Sequence, residues 1–79
     1  MALFGGTSLR GLREAKGLTA LEMASRAECP VEVVLKGEFG VAVPMGDALR
    51  ARLAAAYGLE IQDYVRLALD EAERYADRF

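Results

Sequence analysis

The chain has 79 residues, of which 53% are hydrophobic and 28% are charged, and its net charge is −2. This length suits one compact core, and we expect residues 1–79 to form a single domain, since a core needs roughly 50 residues or more. The composition excludes disorder and a membrane-spanning chain. The lack of histidine excludes histidine-based catalysis, and the lack of histidine together with a single cysteine excludes the common zinc sites. We therefore expect no enzyme activity and no cofactor.

The single cysteine and the first ten residues bear on location. One cysteine, Cys29, allows no internal disulfide, and we expect it to be a small apolar plug, with a redox-sensing thiol as the alternative. The start of the chain has no apolar run long enough for a signal peptide. These features predict a cytoplasmic protein that does not contact a membrane.

The first two predicted helices are marked by their capping residues. A helix is predicted from residue 7 or 8, a threonine and a serine that are both able to cap it, to Lys16. Thr19 stands three residues before Glu22, the spacing of a capping box, in which each residue satisfies a backbone donor of the other. A second helix is therefore predicted over about 20–27.

The third helix is predicted over about 30–36. Pro30 is tolerated in the first turn of a helix, where its missing donor would be unpaired anyway. The run VEVVLK that follows could form a strand, but no second run of this character exists to pair with it. Gly37 favours an early end to the helix. The VAV sequence at 41–43 is either part of a packed loop or an exposed apolar patch.

The last two predicted helices are separated by Gly58, which ends the fourth helix at Tyr57. Residues 60–79 lack glycine and proline, and their apolar residues recur at alternating steps of four and three. This pattern predicts a long amphipathic helix whose outer half packs on a second copy in a homodimer, with folding back across its own domain as the alternative. The stripe comprises Ile61, Val65, Ala68, Ala72, Tyr75 and Phe79, with Tyr64 and Leu69 beside it.

Two stretches of the sequence look like parts of one protein family. LREAKGLTALEMASRA resembles the first two helices of the Cro and phage-repressor (xenobiotic-response-element-like) family, and LAAAYGLEIQDYV resembles the fourth helix and the start of the fifth. Between them, Glu38, Gly40 and Pro44 match further landmarks. The resemblance implies an all-α, five-helix, lambda-repressor-like helix-turn-helix domain with an extended C-terminal helix. It also implies a transcription regulator that binds double-stranded DNA.

The resemblance also implies which residues contact DNA. In the family, the third helix enters the major groove and the start of the second helix contacts phosphates. Two departures stand out: Ala20 replaces the usual glutamine, and Gly37 replaces an isoleucine that packs the third helix onto the core. The implied contacts are Thr19, Ala20, Val31, Glu32, Val33, Leu35 and Lys36. By charge alone, Arg10, Lys16, Arg50 and Arg52 are further candidates to meet phosphates, with an ordinary solvated charge as the alternative for each.

Charge and apolar character leave two functions open. Arg13 and Glu38 match family positions that form a partly buried ion pair, so their implied role is structural. Within the third helix, Lys36 is the one basic residue, while Leu35 and Phe39 stand where the family presents polar groups, which suits a protein partner. The chain is predicted to be a dimeric DNA-binding regulator or, alternatively, an interaction module that partners or antagonises another regulator through its third helix and the following loop.

Overall fold

Five α-helices make up the part of the chain, residues 8–41 and 43–76, that the computed structural model describes. None of these residues lies in a β-strand. The predicted all-α class and the five predicted helices are therefore confirmed. The helices are α1 (Leu9–Ala15), α2 (Ala20–Ala27), α3 (Val31–Glu38), α4 (Asp47–Tyr57) and α5 (Ile61–Ala76).

The starts of α1 and α2 follow from the capping residues. The side chain of Ser8 accepts a hydrogen bond of 3.0 Å from the backbone N–H of Gly11. At α2 the predicted capping box is present: the Thr19 side chain accepts from the Glu22 backbone at 3.1 Å, and the Glu22 carboxylate accepts from the Thr19 backbone at 2.9 Å. Because both exchanges satisfy donors that a helix start leaves unpaired, they fix where each helix begins.

A turn of three residues, Glu28, Cys29 and Pro30, joins α2 to α3. Glu28 adopts a left-handed conformation with φ 55°, and the N–H of Cys29 donates to the carbonyl of Ala24 at 3.0 Å. This arrangement closes the end of α2. Pro30, with φ −63°, occupies the N-cap position of α3 and makes no side-chain hydrogen bond to the helix. The result is the element order of a helix-turn-helix unit.

The predicted end of α3 is wrong, because the helix continues through Gly37 to Glu38. Gly37 and Glu38 are both buried, so packing on their inner side outweighs the low helix propensity of glycine, which is roughly 1 kcal/mol. Phe39 is the residue that follows the last helical residue, and Gly40 comes next with a φ of 76°, in the left-handed region.

The core is formed where all five helices meet, and its largest fully buried side chains are Met23, Val34, Leu53 and Leu67. Ala24 and Ala27 on α2 are also buried, and α2 has extensive contacts with α3 and α4. Their small side chains let the helix backbones approach closely. None of the described helices is long and apolar enough to span a bilayer.

The buried side of α5 lies one residue away from the predicted stripe. Tyr64, Leu67 and Glu71 face inward, whereas Ile61 is exposed. The next row, Val65, Ala68 and Ala72, is half-buried. Neighbouring rows of side chains on a helix have the same 3.6-residue spacing. The spacing of apolar residues therefore predicted the row that has no charged residue, and the row that is buried in the structure is its neighbour. Of the remaining predicted stripe, the side chain of Tyr75 and all of Phe79 lie outside the described residues.

Candidate nucleic-acid interface

The end of α3 is held by a buried polar network centred on Glu38. Its carboxylate accepts hydrogen bonds from Arg13 Nε at 2.8 Å and from Arg13 Nη2 at 3.0 Å. The Tyr57 hydroxyl donates to the same carboxylate at 2.7 Å, and Arg13 Nη1 donates to the carbonyl of Leu18 at 2.8 Å. The predicted ion pair between Arg13 and Glu38 is thus confirmed, and the network connects α1, α3 and α4.

The surroundings of this network keep Arg13 and Tyr57 protonated. The hydrogen bond with Glu38 raises the pKa of Arg13 above its usual value, so the guanidinium stays charged. Burial, followed by the hydrogen bond with Glu38, raises the pKa of Tyr57 well above its usual value. The tyrosine therefore remains a neutral donor to the carboxylate over the whole physiological range.

The outer side of α3 carries one acid, one base and two large apolar residues. Glu32 and Lys36 are exposed and stand one helical turn apart. Leu35 is 37% exposed and Phe39 is 45% exposed, and they also stand one turn apart. This side is close to neutral and has apolar surface, so basic residues do not cluster on α3 itself.

Two predicted contacts on α3 are less accessible than expected. Val31 and Val33 are half-buried and pack against the core, whereas the resemblance implied that both are exposed. They lie beside Val34, which is 1% exposed, and helical geometry turns their β-branched side chains partly toward the same interior. The accessible part of the predicted set on α3 is reduced to Glu32, Leu35 and Lys36.

The start of α2 offers little to a phosphate. The N–H of Thr19 is already bonded to the Glu22 carboxylate, and the half-buried Ala20 packs against the core. The backbone hydrogen bond from Thr19 holds the pKa of Glu22 below its usual value. An ionised carboxylate therefore stands at this helix start, where it opposes the approach of an anion.

The predicted cations beyond α3 lie on several elements. Arg10 is exposed and pairs with Glu14 at 3.2 Å, and Lys16 is exposed with its ammonium beside Gly58, at the end of α4. Arg50 bonds to the carboxylate of Asp47 and to the carbonyl of Met45. Arg52 Nε donates to the Ala27 carbonyl at 2.9 Å. Arg52 thus stabilises the last turn of α2, next to the turn that leads into α3.

The thiol of Cys29 is partly buried in this turn. Burial raises the pKa of the thiol, which disfavours the thiolate needed for redox chemistry. Cys29 packs against the core, in agreement with its predicted role as a small apolar plug. Within the described ranges there is no group of three histidine, cysteine or acidic side chains that could hold a metal ion.

Two features of the site were missed from the sequence. Tyr57 was predicted as the last residue of the fourth helix, but its bond to Glu38 was not, because that bond depends on how α4 packs against α3. A cavity of about 170 Å³ lies between the end of α3, the following loop and α5. Its lining includes Arg50 and Tyr64, two residues far apart in the sequence that no spacing rule connects.

No family model, curated protein or solved structure matches this chain. The similarity to the Cro and phage-repressor family therefore rests on the sequence landmarks themselves.

Proposed function

We propose that this chain is a small DNA-binding transcription regulator that uses α2 and α3 as a helix-turn-helix. The supporting observation is that one side of α3 is bonded to the rest of the domain and the other side is exposed. Its inner end is bonded through Glu38 to Arg13 and Tyr57, while Glu32 and Lys36 on its outer side are exposed. A helix that is anchored on one side and open on the other fits the shape of a major groove.

Binding of this kind draws its affinity from the DNA backbone more than from the bases. Lys36 meets a phosphate from α3, and Arg10 and Lys16 supply further positive charge. For the bases, Glu32 can accept from the amino group of cytosine, and Leu35 can contact a thymine methyl. Without arginine, asparagine or glutamine on this side of α3, sequence discrimination is modest.

The proposal includes a homodimer, because two copies related by a two-fold axis present two copies of α3 to successive grooves. The start of α5 supplies exposed apolar surface for this contact, because Ile61 is 44% exposed. Sedimentation velocity should show a dimer that the change Ile61→Glu converts to a monomer. A monomeric parent chain at the highest concentration tested would exclude the dimer.

The decisive experiment is a titration with random-sequence duplex DNA, followed by fluorescence anisotropy. Between about 50 and 200 mM salt, affinity should fall roughly 40-fold if three phosphates are neutralised, because counterion release gives a slope near −0.9 for each phosphate. No binding at the lower salt concentration would contradict DNA binding and favour the second function.

A second function, a protein-interaction module that partners or antagonises another regulator, is favoured by one observation. Leu35 and Phe39 on the outer side of α3 and Val41 just beyond it are all exposed, and apolar and aromatic residues are characteristic of interface centres. Peptides selected against the chain from a displayed helical library should lose binding on Leu35→Glu. The matched change Leu21→Glu, at a leucine on α2 that is 68% exposed, should leave binding intact; equal loss in both variants would contradict a partner site on α3.

A further inference from the structure

The cavity between the end of α3, the loop after it and α5 has mainly apolar walls. Its volume is about 170 Å³, and its lining includes Val43, Met45 and Leu69. Two residues with polar side-chain groups, Tyr64 and Arg50, also belong to the lining. An apolar pocket with a few polar groups is the usual form of a small-molecule site.

Gly37 keeps the inner end of this cavity open. A Cβ atom placed on Gly37 would lie 3.0 Å from the Tyr64 hydroxyl oxygen, which is tighter than an ordinary contact. The Tyr64 ring cannot easily move away, since the residue is 4% exposed and its ring packs against Tyr57 with centroids 5.9 Å apart. A larger residue at position 37 would therefore displace the hydroxyl or fill the space.

The Tyr64 hydroxyl has no hydrogen-bond partner among the residues that the structure describes. No side-chain nitrogen or oxygen in that part of the chain is both fully enclosed and unbonded, so this hydroxyl keeps contact with the open space of the cavity. A tyrosine buried to this extent normally bonds through its hydroxyl. The free hydroxyl is consequently available to a molecule inside the cavity.

Arg50 provides the positive charge at this site. Its side chain is 33% exposed, and two of its donors bond to Asp47 and to the Met45 carbonyl. The Asp47 side chain is 97% exposed, so water screens this ion pair and makes it weak. Arg50 and Tyr64 line the same cavity, and burial raises the pKa of Tyr64, so its hydroxyl stays protonated and able to donate to a ligand.

We propose that this cavity binds a small apolar carboxylic acid that has a single aromatic ring or a short branched chain. The carboxylate bonds to the free donors of Arg50 and accepts from the Tyr64 hydroxyl, while the apolar body lies among Val43, Met45 and Leu69. The ligand is an acid because Arg50 is the one charged side chain in the described lining. Its size follows from the volume, since a cavity of about 150 Å³ holds benzene.

This site is separate from the outer side of α3, so it does not depend on DNA binding. A bound acid would connect Arg50 on α4 with Tyr64 on α5 beside Gly37, near the end of α3. It would thereby fix the loop at 40–46 against the fifth helix, and any partner of α3 would meet a more rigid surface.

The test is a titration of the ¹⁵N-labelled full chain with phenylacetate, with phenylacetamide as the neutral match. Phenylacetate should give saturable amide shifts centred on Gly37, Gly40 and Ala72, and phenylacetamide should bind about tenfold more weakly, because charged hydrogen bonds are the stronger ones. Shifts that do not saturate, or equal affinity for both compounds, would overturn the proposal. Shifts at these amides that follow protein concentration instead of ligand would assign the cavity to a second copy and also overturn it.

Substitutions test the contribution of each of the two polar groups to ligand affinity separately from that of the apolar walls. Arg50→Met should reduce phenylacetate affinity to that of phenylacetamide, and Tyr64→Phe should reduce it about two- to tenfold. Arg66→Met, at an exposed arginine of α5 outside the cavity lining, should leave it unchanged; losses that the three variants share would overturn the proposal.

A filling variant tests the cavity without altering charge. Ala68→Leu extends a side chain from the cavity wall and should abolish the binding of both compounds, whereas Ala55→Leu, at an exposed position of α4, should not. Thermal unfolding of each variant verifies that it is folded. A folded Ala68→Leu chain that binds phenylacetate normally would place the ligand elsewhere and overturn the proposal.

Discussion

Arg13 and Glu38 form a two-pronged ion pair between α1 and the last residue of α3, with distances of 2.8 and 3.0 Å. The side chain of Glu38 is 1% exposed and that of Arg13 is 11% exposed. Tyr57 adds a third hydrogen bond to the same carboxylate. Since the carboxylate is almost fully removed from water, its stability depends on these partners.

Removing Arg13 should therefore be far more damaging than removing an exposed arginine of the same helix. Arg13→Met should lower the free energy of unfolding by about 3–5 kcal/mol, because it leaves the Glu38 carboxylate buried without its counter-ion. Arg10→Met breaks an exposed pair with Glu14 and should cost no more than about 0.5 kcal/mol. Urea unfolding followed by circular dichroism measures both, and similar costs for the two variants would show that the buried pair has no special role.

The sequence was sufficient for the features that depend on local chemistry. Thr19 and Glu22 specified the start of α2, and Gly58, with φ 78°, specified the end of α4. In both cases one or two residues satisfy backbone groups within a single turn, so no distant contact is needed. The pair between Arg13 and Glu38 was predicted from the family resemblance, which supplies a distant contact that spacing cannot.

Features that depend on how helices pack could not be predicted. Gly37 was expected to end α3, but burial against Tyr64 keeps it helical. On α5, the buried row includes Glu71, which bonds to Arg74 at 3.4 Å, and apolar patterning assigns such a residue to the surface. The cavity also depends on helix packing, because it lies where Gly37 of α3 faces α5.

The two buried tyrosines predict how stability changes at alkaline pH. Burial is the leading cause that raises the pKa of both Tyr57 and Tyr64 above the usual value of 10.0. Below about pH 10, both residues are protonated in the folded and unfolded chains, and their stabilisation is complete. Above it, the unfolded chain loses these protons first, so the free energy of unfolding should fall by up to about 1.4 kcal/mol per pH unit for each tyrosine.

Urea unfolding at several pH values between about 8 and 11 measures this slope. Tyr64→Phe should remove the contribution of one tyrosine to the decrease of the unfolding free energy with pH. It should preserve the bond from Tyr57 to Glu38. An unchanged slope in this variant, or a free energy of unfolding that does not fall above about pH 10, would contradict the conclusion that the buried tyrosines cause the loss of stability at alkaline pH.

Lys36 tests whether α3 faces DNA. Lys36→Ala should weaken binding to random duplex DNA and reduce the salt slope by about 1, because one phosphate contact is lost. Arg66 is also an exposed cation but lies on α5, so Arg66→Ala should change neither quantity by as much. Equal effects of the two substitutions would indicate that only net charge matters and that α3 does not enter the groove.

Gly40 and Gly17 have nearly the same left-handed backbone, with φ 76° and 73°, in very different surroundings. A Cβ atom on Gly40 would lie 2.7 Å from the backbone nitrogen of Ala72, whereas one on Gly17 would meet nothing within 4 Å. Gly17→Ala should therefore cost only the left-handed strain, about 1–2 kcal/mol. Gly40→Ala should cost that amount and about 1–3 kcal/mol more, because two backbones must separate and neither can rotate away. The difference between the two unfolding free energies in urea isolates the contact of the loop with α5, and a difference near zero would mean that the loop does not pack on that helix.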